Sequence, residues 1–345
     1  MQTKFFLGAN SGRGFVSLYQ GFVAAPGDRL HVIKGGPGTG KSGFMRRIAE
    51  SAEKRGLDTE LVLCSGDPDS LDGVYIPALR QGWADGTAPH VLDPAIFGVA
   101  GDYVNLGRFC RLPLSEADAA RAQRLTTAYR ERYREAYACL AAASSLQQAV
   151  PSLWSGAVRE RAQNRITALL HRHAAGGGGH VTRRFLSAVS CQGLLRLGEE
   201  AAKLCPTAIE LEDGFGLASP ALRFAEAECA HLGLDRVLCP SPLDPDALDA
   251  LLLPDAGLAL LRGEWGLPGA RHLRLDALVE SETRTSLRAP TRRFRRLSQE
   301  ALDEGLEKLR QAKALHDELE AVYRPYMDFA ALTAFTEQEV SRIFA

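Results

Sequence analysis

Leu30-His31-Val32-Ile33-Lys34-Gly35-Gly36-Pro37-Gly38-Thr39-Gly40-Lys41-Ser42 is the stretch that decides the reading of this chain. Leu30 to Lys34 is a short apolar run of strand length, and glycines follow it at once. From Lys41 to about Arg55, Phe44, Met45, Ile48 and Ala52 recur at helical spacing. A strand, then G-x-x-x-x-G-K-S, then a helix is the context in which a glycine loop binds phosphate. Gly35, Gly36, Gly38 and Gly40 let backbone N–H groups converge on phosphate oxygens without Cβ clashes, with Pro37 and Thr39 filling the variable places of the loop. The helix start adds the positive end of its dipole. Lys41 is expected to bridge the β and γ phosphates, and Ser42 to ligate Mg²⁺.

The second metal-side group is expected to be an acid at the end of another buried strand. Leu79 to Ala84 leads into Asp85, which is the candidate; Leu61-Val62-Leu63-Cys64 leads towards Asp67, which is the rival. Asp69 followed three residues later by Asp72 reads as a helix N-cap pair. His90 is the nearest group to Asp85 that could serve as a base. Arg13, in Gly12-Arg13-Gly14, is either an internal arginine finger on the phosphates or an ordinary loop arginine. The chain has no N-K-x-D guanine signature, so ATP is the expected nucleotide.

An internal repeat runs through the chain. Residues 33–86 align without gaps to residues 210–263 at a constant offset of 177. Asp67-Pro68-Asp69-Ser70-Leu71-Asp72 matches Asp244-Pro245-Asp246-Ala247-Leu248-Asp249, and Phe6-Leu7-Gly8-Ala9 resembles Phe185-Leu186-Ser187-Ala188 at an offset of 179. The second copy lacks the chemistry of the first. Ala218 stands for Lys41, Glu212 and Asp213 for Gly35 and Gly36, Arg262 for Asp85, and Gln192 for Arg13. Two carboxylates in the loop would repel a polyanion.

With 345 residues, 46% hydrophobic content, 24% charged content and a formal net charge of −1, the chain is an ordinary globular one. It has no charge excess to attract nucleic acid or membrane. The short N-terminal apolar run and the absence of long apolar stretches lead us to expect a cytoplasmic location and no membrane partner. Seven cysteines without a C-x-x-C pair argue against a disulfide framework. The six arginines between Arg284 and Arg296 are expected on a solvated helix or in salt bridges, because aromatic groups for base stacking are scarce there. Ser115 to Leu146 and a segment opened by Pro151 and running to His173 read as a helical hairpin. A glycine linker (176–179) follows, and a further helix spans Leu297 to Tyr323. The expected domains are 1–105 (nucleotide-binding), 106–180 (hairpin and linker), 181–280 (degenerate copy) and 281–345 (helical C-terminal segment). The fold class is α/β: a P-loop NTPase-type, mainly parallel sheet, duplicated in tandem.

These pieces resemble an uncharacterised bacterial family of tandem P-loop ATPases. The resemblance rests on Gly8-Ala9-Asn10-Ser11-Gly12-Arg13-Gly14-Phe15, the loop Lys34 to Ser42, the block Cys64 to Gly73, and Asp85-Gly86-Thr87-Ala88-Pro89-His90. It implies the fold and the nucleotide, and names no substrate. In that family both halves usually look like nucleotide sites; here only the first does. The expected function is an ATP- and Mg²⁺-binding NTPase, slow in hydrolysis until movement or a protein partner completes the site. A small-molecule or nucleotide kinase and a non-catalytic nucleotide sensor are the alternatives.

Overall fold

The structure, a computed structural model, describes residues 1–89, 91–150, 153–173 and 177–345. The glycine-rich stretch lies between β4 and α1 of a first lobe. In chain order this lobe contains β1 (Gln2–Phe6), β2 (Gly8–Ser11), β3 (Gly14–Ser17), β4 (Arg29–Lys34), α1 (Lys41–Glu53), β5 (Thr59–Leu63), β6 (Leu71–Ile76), β7 (Gln81–Asp85) and β8 (Gly101–Asn105). Two long helices follow, α2 (Glu116–Gln148) and α3 (Gly156–His173). A second lobe contains β9 (Val181–Arg183), β10 (Ser187–Ser190), β11 (Gly193–Arg196), α4 (Gly198–Leu204), β12 (Thr207–Leu211), α5 (Ala218–His231), β13 (Arg236–Pro240), β14 (Leu248–Leu253), β15 (Leu258–Arg262) and β16 (Arg271–Leu273). The chain closes with α6 (Ser281–Tyr323) and α7 (Phe329–Ile343).

Each lobe is built on one sheet, and the two sheets share one strand order. The first runs β1-β5-β6-β7-β4-β8; the second, read from its other end, runs β9-β13-β14-β15-β12-β16. In each sheet one strand, β6 or β14, is antiparallel to both neighbours and the remaining pairs are parallel. The fold is therefore mixed α/β, with two sheets of mostly parallel strands and a helical C-terminal tail. Both sheets bury apolar strands on two faces, as parallel sheets must. In the first, Ile33, Val74, Ile76 and Trp83 meet Phe44, Met45 and Ile48 of α1.

The acidic block corrects the N-cap reading. Residues 67–70 form a turn closed by Ser70 N–H donating to the Asp67 carbonyl at 2.8 Å, and Asp72 is buried inside β6. The turn reverses the chain so that Val74 and Tyr75, residues that favour strands, pair antiparallel with β5. Asp249 sits likewise inside β14.

The helical hairpin is also corrected. The 33-residue α2 begins at Ser115, whose Oγ accepts from Asp118 N–H, with Glu116 and Asp118 complementing the dipole of its first turn. Its buried face packs against α6, through Ala136, Leu140 and Ala143 on Leu302, Leu306 and Leu309. α3 instead packs through Ile166, Leu169 and Leu170 into the core of the second lobe, against α5. Helical periodicity identifies an apolar face, and here α2 and α3 turn those faces to different partners. Pro151 and Gly176 lie outside the described residues. The following glycines are held in place: Gly178 and His180 N–H groups both donate to Asp235 Oδ1 at 2.8 Å.

The tail folds back on the first lobe. Met327, Leu332 and Phe335 join the core around α1, and the Arg108 guanidinium lies over the Phe335 ring. Among the described residues no helix is long and apolar enough to cross a membrane.

Candidate functional site

The loop 35–42 leaves β4 and enters α1 with Gly38 and Gly40 at positive φ (69° and 82°). Side chains rarely adopt that backbone, which is why the sequence has glycine there. Gly40 is the residue before the helix and offers no side chain to cap the first amides of α1. A Cβ on Gly35 would come within 2.4 Å of Thr39 Oγ1, and Thr39 Oγ1 donates to the Gly36 carbonyl at 2.9 Å. The loop is thus wound tightly on itself, with backbone rather than side chains forming its inner wall.

Asp85 ends β7, the strand hydrogen-bonded to β4, and pairs in register with Ile33. This places Asp85 Oδ2 3.6 Å from Lys41 Nζ, with both side chains mostly buried. Thr87 fixes the other oxygen: its N–H and Oγ1–H both donate to Asp85 Oδ1, at 2.8 and 2.6 Å. Lys41 Nζ also donates to the Gly36 carbonyl at 2.9 Å. Ser42 Oγ accepts from Leu71 N–H at 2.9 Å. Lys41, Ser42, Asp85 and the loop amides therefore converge on one end of the sheet. Asp67 lies in the turn after β5, where it accepts from Ser70 Oγ and pairs with Lys313 of α6 at 3.5 Å. His90 lies outside the described residues.

Glu320, near the end of α6, was not indicated by the sequence. Its Oε1 accepts from Gly38 N–H at 3.3 Å, and a Cβ on Gly38 would come 3.2 Å from its carbonyl oxygen. A carboxylate from the tail thus already uses an amide of the glycine loop, the behaviour expected of an anion-binding loop. Leu332 approaches the same loop, within 2.8 Å of where a Cβ on Gly40 would lie. No local pattern connects residue 320 to residue 38; only the tertiary fold joins them.

The corresponding loop of the second lobe is closed by its own charges. Asp213 Oδ1 accepts from Ala218 N–H at 3.0 Å, capping the start of α5 where a ligand anion would sit. Its Oδ2 accepts from Arg262 Nε at 3.0 Å, and Arg262 also lies 3.6 Å from Asp249. Burial works against the Arg262 charge, but the two aspartates outweigh it and leave its pKa raised. Glu212 faces Arg274 at 3.7 Å. The sequence expectation of two repelling carboxylates is refined: one is spent on the helix start and an arginine, the other on a surface pair.

Arg13 stands away from the first loop. Its guanidinium pairs with Asp246 of the second lobe. Its counterpart Gln192 donates through Nε2 to Asp69 Oδ2 of the first lobe at 2.9 Å. The reading of Arg13 as a finger on the first lobe's own loop is corrected by this reach across the lobes. Three arginines of α2 are engaged along the helices: Arg121 with Glu318 at 3.8 Å, Arg132 with Glu135 at 2.7 Å, and Arg134 with Glu131. Arg295 donates to the Asp213 carbonyl, and Arg296 pairs with Glu300 at 3.6 Å.

Comparisons with protein-family models, with curated proteins and with solved structures find no match to this chain.

Proposed function

We propose that the first lobe binds a nucleoside triphosphate with Mg²⁺, ATP in preference to GTP, and hydrolyses it slowly as an NTPase. The observation that carries this reading is the convergence of Lys41, Asp85 and Ser42 on a glycine loop whose Gly38 amide already engages a carboxylate. The cradle of loop amides and the start of α1 suit phosphate oxygens, and the donor set of a serine hydroxyl and a carboxylate suits a hard cation. Ser42 and Asp85 would hold Mg²⁺, which would neutralise charge building on the phosphates. Lys41, now held 3.6 Å from Asp85, would turn its ammonium to the β and γ phosphates.

Slow turnover follows from what stands beside the acid. Gly86 succeeds Asp85, where a carboxylate could activate water. Glu320 also competes for the loop. Between the alternatives, a kinase would need arginines brought onto the phosphates, and the pairing of Arg121, Arg132 and Arg134 with glutamates of α2 and α6 weighs against α2 as their source.

The test is thermal melting with and without ATP and Mg²⁺. Nucleotide at a hundred times its dissociation constant should stabilise the wild type by about 2.7 kcal/mol. Lys41→Ala should remove that gain. No melting shift with any nucleotide and Mg²⁺ would sink the reading.

A further inference from the structure

The turns of the two hairpins, β2–β3 and β10–β11, are built alike to the level of single hydrogen bonds. In the first, Ser11 Oγ donates to the Gly14 carbonyl at 2.8 Å and accepts from Arg13 N–H at 3.0 Å. In the second, Ser190 Oγ donates to the Gly193 carbonyl at 3.1 Å and accepts from Gln192 N–H at 3.1 Å. Arg13 and Gln192 are thus equivalent positions. The lobes meet at another equivalent pair, Phe6 and Phe185, each donating its N–H to the other's carbonyl at 2.9 Å. Such reciprocity is the signature of an approximate two-fold relation. It explains why each hairpin turn touches the opposite lobe: Arg13 at Asp246, Gln192 at Asp69.

The acidic turn that Gln192 holds is the one that flanks the first lobe's glycine loop. Arg46 of α1 donates to the Asp69 carbonyl at 2.7 Å. Two residues on, Leu71 N–H donates to Ser42 Oγ at 2.9 Å. The Leu71 amide takes one lone pair of Ser42 Oγ and so fixes where the rest of the hydroxyl points. A path of two hydrogen bonds and three residues runs from Gln192 to the atom we assign to the metal.

We infer that Gln192 is a positioning residue for the first lobe's nucleotide chemistry, so that the second lobe acts on the first lobe's site by holding the Asp69–Leu71 segment against Ser42. The inference rests on the nucleotide reading above. It gives the second lobe, whose own loop is closed by Asp213 and Arg262, a role in the chemistry of its neighbour. The second copy's arginine-to-glutamine difference fits that role. Gln192 keeps a donor for Asp69 while adding no charge. Arginine in the same place makes the same reach, as Arg13 does to Asp246.

The experiment is steady-state phosphate release by the full chain over a series of ATP and Mg²⁺ concentrations, with Lys41→Ala as the blank. Gln192 is exposed in its turn, so its variants should fold, and their melting temperatures check this. Gln192→Ala should lower kcat about five- to tenfold, the size of one ordinary net hydrogen bond as suits an exposed contact, and raise the Mg²⁺ concentration for half-saturation. Its ATP affinity should stay within about twofold, since the loop amides and Lys41 are untouched. Gln192→Glu should lose at least as much, because it sets a carboxylate against Asp69. Gln192→Arg should restore turnover and Mg²⁺ dependence to within about twofold of wild type. Wild-type kcat and Mg²⁺ dependence in Gln192→Ala would overturn the inference and leave Gln192 as a tie between lobes. A loss that arginine does not restore would overturn it too, as would binding that depends on Lys41 with no phosphate release above the blank. Absence of any Lys41-dependent nucleotide binding would instead bring down the nucleotide reading, and this inference with it.

Discussion

On the nucleotide reading proposed above, Glu320 would compete with a triphosphate for the Gly38 amide that it now accepts from. Its side chain is about half exposed (45%), so water screens the contact and its net strength is modest. Glu320→Gln should therefore tighten ATP binding by about three- to tenfold, corresponding to about 0.7–1.4 kcal/mol. Isothermal titration with Mg²⁺ present would measure it, and an unchanged or weaker affinity would show that the carboxylate does not contend with nucleotide. Residue by residue, the sequence was informative where chemistry is local. The loop 35–42 and the acid of β7 are close in the fold because β4 and β7 are adjacent strands, and each carries its own pattern. The local pattern around Arg13 leaves its role open, because its partner Asp246 is 233 residues away on the other lobe. Glu320 was invisible for the same reason, since nothing in its helix distinguishes it from other surface glutamates.

At the scale of elements, the helix pair α2–α6 is the main structural addition to the two sheets. Leu140 of α2 is fully buried against Leu306 and Leu309 of α6, and Gly305 lets it approach: a Cβ there would lie 3.1 Å from Leu140 Cδ2. Leu140→Ala should cost about 2–5 kcal/mol, the usual range for a fully buried leucine. Denaturant unfolding would read this as a lower midpoint with an unchanged slope, whereas a loss under about 1 kcal/mol would mean the pair is loosely packed. The extent of α2 is legible in its periodicity, whereas α6 begins at Ser281, well before the helix expected from Leu297. Their pairing was not legible, because an apolar stripe does not specify its partner, and a short connection makes α2 and α3 look like neighbours. The β6 and β14 strands were missed for a different reason. Their aspartates resemble a helix start, and the turn that precedes them is recognisable only once the chain is seen to reverse.

For the molecule as a whole, the repeated offset in sequence reappears as a repeated strand order, which is the strongest agreement between sequence and structure here. An ungapped alignment is legible because the loops between strands kept their lengths. The chemical difference between the copies was legible as residue changes, though the Asp213–Arg262 closure that results from them was not. We expect one nucleotide per chain by calorimetric titration. Ala218→Lys should leave that number at one, because Asp213 would still cap α5 and pair with Arg262. Two equivalent sites in the wild type, or a second site gained by Ala218→Lys alone, would contradict this account.

The 43-residue helix α6 is a stiff bar laid across both lobes. Arg295 fastens it to the second lobe's loop at the Asp213 carbonyl, Ser298 Oγ anchors it to the Ala143 carbonyl at 2.8 Å, and Glu320 rests on Gly38. At about 1.5 Å per residue, Ser298 and Glu320 are about 33 Å apart along the axis. A tilt of only about 5° around the Ser298 anchor would carry Glu320 about 3 Å, roughly the length of the hydrogen bond that ties it to the loop. The short side of the bar, from Ser298 to Arg295, is about 4.5 Å long and would travel about 0.4 Å, roughly a seventh as far. The geometry is that of an unequal balance beam: a displacement that is large at the first loop reaches the second as a small, forceful one.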